Sequence, residues 1–211
     1  MSGTAHDRPG HGGPEGQGDH GDHGAHGGVD AMAVSATLHC LTGCAIGEIV
    51  GLLIGTGAGL GNGWTIALSI ALAFVFGFTL STLPLVKAGL GVGAALGIVL
   101  AADTLSIATM EVVDNLVVAV IPGAMDAGLV NVTFWISLML SLVAAFAAAY
   151  PVNRFLLQRG KGHALTHRFH GAGDEATGVR RFIPTLPTGS LVAVIVAFIL
   201  GGLVVSIADR L

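Results

Sequence analysis

The chain has 211 residues, of which 53% are hydrophobic and only 10% are charged. A soluble domain carries about 25% charged residues, so this composition excludes a soluble globular protein and reads as an integral membrane protein. The net charge of -4 includes no basic cluster beside a readable nucleic-acid motif, and two cysteines are too few for a disulfide framework.

Residues 1–32 form a Gly-, His- and Asp-rich tail carrying His6, His11, His20, His23 and His26. Such a segment cannot bury a core and is expected to be disordered; it has no apolar stretch of signal-peptide type. Residues 33–211 read as a transmembrane domain with five apolar segments, near 33–60, 64–86, 93–121, 129–157 and 188–207. The expected fold class is an all-α polytopic helical bundle. Residues 158–186 form a basic loop, and Lys87 lies between segments two and three. Both positive links fall on one side of a five-helix arrangement, so that side and the tail are expected in the cytoplasm, with the C-terminus outside.

Segment one contains His39-Cys40-Leu-Thr-Gly43-Cys44-Ala-Ile-Gly47-Glu48. Cys40, Cys44 and Glu48 recur every fourth residue and share a helix face. His39, Gly43, Gly47, Gly51, Gly55 and Gly59 form the adjoining row. Thiolates select soft metals such as copper(I), and cysteine with histidine also suits zinc. Cysteine is also a good small filler, and small residues four apart are first a packing device. The cysteines are expected as free thiols. The glycine row is expected to admit a neighbouring helix, of the same chain or another copy, close enough to complete a site.

Segment three is the second centre. Asp103, Met110 and Asp114 fall in a narrow wedge at about 100° per residue, with Ser106 and Glu111 at its edges. Three carboxyls on one membrane helix are costly and must face protein or water. No Lys or Arg inside a helix neutralises them, so protons or a bound cation must. Thr104, Ser106 and Asn115 read as hydrogen-bonding glue. Met125 and Asp126 read as a turn after segment three. In the basic loop, His163, His167 and His170 would share a face of a helix and could ligate metal. The same loop reads equally as a segment resting on anionic headgroups.

These residues resemble a family of bacterial membrane proteins known as domain-of-unknown-function family 4396. The resemblance rests on 37–48, on Asp103-Thr104 through Met110-Glu111-Val-Val-Asp114-Asn115, on Pro122-Gly-Ala-Met125, and on Tyr150-Pro-Val-Asn153-Arg154 through Arg159-Gly-Lys161-Gly-His163. It spans about residues 35–170 and implies a bacterial inner membrane location, but no activity.

No nucleophile elbow, phosphate loop or paired-histidine zinc-protease helix occurs, so an enzyme is not expected. The leading expectation is transport or handling of a transition metal, copper before zinc. Its path would use His39, Cys40, Cys44, Glu48, Asp103, Met110, Glu111, Asp114, His163 and His167. The alternatives are a non-catalytic accessory subunit of a larger membrane complex and a proton-coupled small-solute carrier. Expected partners are the lipid bilayer and further copies or subunits, not nucleic acid.

Overall fold

A computed structural model of the chain describes residues 22–159, 182–183 and 187–209. Among the described residues the fold is all-helical: α1 (Asp22–Gly57), α2 (Asn62–Lys87), α3 (Val92–Val120), α4 (Val132–Gln158) and α5 (Thr188–Ala208). All five are long and apolar enough to cross a membrane. This is a multi-pass membrane protein of the expected class.

The segment boundaries agree with the sequence reading to within a few residues, except at the start of α1. That helix begins at Asp22, upstream of the expected start near residue 33, and Asp30 pairs there with Arg154 of α4. Residues 1–21 of the expected tail and 160–181 of the basic loop lie outside the described residues.

The first two turns are glycine-capped. Gly59 adopts φ 67° at the end of α1, with Leu60 N donating to Gly55 O at 2.8 Å and Gly59 N to Thr56 O at 3.1 Å. Gly89 adopts φ 105° after α2, with Leu90 N donating to Leu85 O and Gly89 N to Val86 O. Both are Schellman closures, which need a residue that tolerates positive φ. The short turns make neighbouring helices antiparallel, so α1 and α3 run parallel. The α1–α2 and α3–α4 links share one end of the bundle, here the far end. The α2–α3 link, Arg154 and Arg159 lie at the other, basic end.

Helix α1 is central and is the one described helix that packs against all four others. Its glycine row is filled by α2. A Cβ at Gly43, Gly47, Gly51 or Gly55 would run into Gly77, Ala73, Ser69 or Thr65 respectively. Those pairs are the successive contacts of two antiparallel helices touching almost backbone to backbone. The row is therefore used within the chain, and it supplies no argument for self-association. It also does not admit the carboxyl-bearing helix, as the sequence suggested; α3 meets the adjoining stripe.

Helix α4 closes the core with Trp135, Leu138, Leu142, Ala145 and Ala149. Near the basic end, buried Asn153 donates to Thr37 Oγ1 at 2.9 Å, and Thr37 donates in turn to Ala33 O at 2.7 Å. Interhelical hydrogen bonds of this kind contribute about 1 kcal/mol in membrane proteins. A double-mutant cycle of Thr37→Val and Asn153→Leu, read by thermal unfolding in detergent, is expected to give a coupling of about 1 kcal/mol. Strictly additive effects would remove this link from the account of stability.

Helices α2 and α3 meet near the basic end through Leu85, Ala95 and Val99. Toward the far end they leave a lateral groove between Ile66, Ile70 and Phe74 on one side and Glu111 and Asn115 on the other. This divergence makes room for a cavity at the far end.

Candidate functional site

The periodicity of α3 carries through to burial. Asp103, Ser106, Met110, Glu111 and Asp114 are all buried, whereas Thr104 faces outward. Asp103 lies eleven residues into α3, roughly 16 Å along its axis, near mid-span of the apolar layer.

The buried stripe of α3 faces the cysteine stripe of α1. Cys40 lies beside Asp103 and Ser106. One turn on, Cys44 lies beside Glu111. A further turn on, Glu48 meets Asp114, which also touches Ser141 of α4. Parallel helices stepping four residues at a time keep such pairs in register over several turns. The result is a column of two thiols and four carboxyls along the α1–α3 seam. Met110 is fully buried in the same core cluster as both cysteines.

The column is short of hydrogen bonds. Both oxygens of Glu111, Oε1 of Glu48, Oδ1 of Asp114 and the Ser106 hydroxyl are buried without a protein partner among the described residues. The Cys44 thiol adjoins the Glu111 carboxyl. Buried carboxyls without partners are costly unless a proton or cation compensates them.

Of the other expected ligands, His39 stands in the glycine row, half-buried, and its Nδ1 donates to Ser35 O of its own helix at 2.9 Å. His163 and His167 lie outside the described residues. Asn115 donates to Glu111 O at 2.8 Å, a local helix contact. Asp126 accepts from Asn62 Nδ2 at 3.0 Å and ties the two far-end links together, in keeping with a turn. Among the described residues, no three His, Cys, Asp or Glu side chains gather closely enough to hold one metal ion.

A cavity of about 160 Å³ reaches the column from the far end. Glu48, Glu111 and Asp114 line it together with Ser69, Asn115 and Ser137. Helix α4 thus supplies Ser137 and Ser141, which the sequence reading did not single out. Their signal was present as two serines four apart on an otherwise apolar segment.

A family model described as domain of unknown function (DUF4396) matches residues 31–162, more than half of the chain. The chain belongs to that family. The matched region of this DUF4396 protein holds α1 from Ala31 onward and all of α2 to α4, with the whole column and cavity, and stops short of α5. His163 and His167 fall just beyond it. No curated protein and no solved structure matches the chain.

Proposed function

We propose that this DUF4396 protein carries or handles a transition-metal ion across the membrane, along the α1–α3 column. The observation that supports it best is the in-register facing of Cys40, Cys44 and Glu48 with Asp103, Glu111 and Asp114. Ligands arranged in successive levels suit a path better than a resident cofactor cage, which agrees with the lack of a three-ligand cluster among the described residues. The thiols favour copper, with zinc the second choice.

In this reading the basic end faces the cytoplasm of a plasma membrane, because Lys87, Arg154 and Arg159 flank it while the far-end links 58–61 and 121–131 carry no Lys or Arg. The cavity then opens outward. Five helices enclose little volume, so a second copy or a partner subunit completes the translocation pathway.

The test is the metal content of the purified full-length protein by mass spectrometry, wild type against Cys40→Ser/Cys44→Ser. About one copper or zinc per chain is expected in the wild type and its loss in the double variant. A wild type without stoichiometric metal would sink the proposal.

A further inference from the structure

The geometry points to the far-end cavity as a vestibule for a hydrated divalent metal ion, held by Glu111 and Asp114 before it reaches the thiols. This inference rests on the metal reading above and takes its second choice, a zinc-like ion, over copper.

Size is the first argument. The cavity measures about 160 Å³. That is room for several waters, and so for an ion that keeps part of its inner hydration shell. An ion held through its own waters does not need three direct protein ligands.

Charge is the second. Three carboxyls line the cavity and no Lys, Arg or His does so among the described residues. Glu111 is only 4% exposed and, among the described residues, neither of its oxygens has a partner beyond the adjoining Cys44 thiol. Asp114 is 5% exposed with Oδ1 likewise unpartnered. Buried acceptors on residues that line a cavity call for a donor shell, and aqua ligands on a cation supply both donors and charge.

Ligand chemistry is the third. The groups around the carboxyls are oxygens and amides of Ser69, Asn115 and Ser137, the set that suits hydrated divalent ions rather than copper(I). Cys44 lies beside Glu111, so an ion passing inward exchanges oxygen for sulfur at that point. Zinc accepts both, whereas magnesium remains with oxygen.

The experiment uses the full-length protein, stripped of metal, in detergent. Manganese(II) is the probe, because it prefers oxygen to the imidazoles of the histidine-rich tail. Its binding is read by loss of the free-ion electron paramagnetic resonance signal. About one bound manganese per chain is expected, displaced by zinc but not by copper(I). Affinity should fall at least tenfold in Glu111→Gln and in Asp114→Asn. Both acid-to-amide changes are nearly isosteric, and wild-type melting of either one makes its affinity interpretable. Failure of the wild type to bind, wild-type affinity in both variants, or displacement by copper(I) alone overturns the vestibule, even where thiol-dependent metal content persists. Manganese binding that depends on the two acids, in a protein without thiol-dependent metal, upholds the vestibule and overturns the thiol path.

Discussion

Gly47→Leu is expected to cost about 3 kcal/mol or more, because the obstacle is backbone. A Cβ built at Gly47 runs into the N and Cα atoms of Ala73. A neighbouring side chain could rotate away, but here the two helices must move apart. Separation would also break the adjoining contacts of Gly43 with Gly77 and Gly51 with Ser69. Overpacking of ordinary side chains costs about 1–3 kcal/mol, and a displaced helix pair belongs above that range. Ala73→Gly should not rescue the variant, since it removes only a Cβ and leaves the clashing atoms in place. Gly93→Leu is the control: nothing lies within 4 Å of a Cβ there, so it should melt near the wild type. Thermal unfolding and gel filtration in detergent read both. Near-wild-type melting of Gly47→Leu would show that α1 and α2 are not so closely packed. Because Ser69 of α2 also lines the cavity, the same variant should bind manganese poorly.

Trp135→Ala is the second large effect, expected near 3 kcal/mol, the low end for deletion of a buried aromatic. The low end applies because packing, rather than transfer from water, drives helix association in a membrane. Trp135 is 5% exposed and meets Phe134 and Phe198 with ring centroids 5.1 and 5.4 Å away. Gly202 of α5 leaves the space that its ring fills. Its Nε1 donates to Leu129 O at 2.7 Å, and Ser206 of α5 donates to the same carbonyl at 3.2 Å. Among the described residues helix α5 packs on α1 and α4, so this cluster carries much of its attachment. Trp135→Phe keeps most of the ring contact and loses the hydrogen bond, with an expected cost of about 1 kcal/mol. Equal destabilisation by the two substitutions would mean that the indole N–H, not the packing, holds α5. Limited proteolysis beyond residue 187 should increase in Trp135→Ala alone.

How much of the site could be read from the sequence differs residue by residue. Asp103, Met110, Glu111 and Asp114 were identified because a helix has a fixed angular step, and carboxyls in an apolar segment cannot face lipid. Cys40, Cys44 and Glu48 followed from the same step. Ser137 and Ser141 were overlooked because serine costs little in a membrane helix and often bonds only its own backbone, as Ser137 does to Thr133 O at 2.7 Å. Asn153 stood in a motif, but its partner Thr37 is 116 residues away and no local pattern links them.

The helical class, the five spans and the buried stripe of each polar helix are written in composition and periodicity alone. These follow from hydrocarbon thickness, backbone hydrogen bonding and the 3.6-residue period, all local or one-dimensional constraints. Which helix meets which stripe is set by the packing of the bundle. Periodicity fixes the azimuth of a side chain on its own helix but carries no information about the neighbour. The short Gly59 turn returns α2 onto the glycine row and leaves the thiol stripe for α3. That pairing turned two separate polar stripes into one buried column with a cavity at its far end.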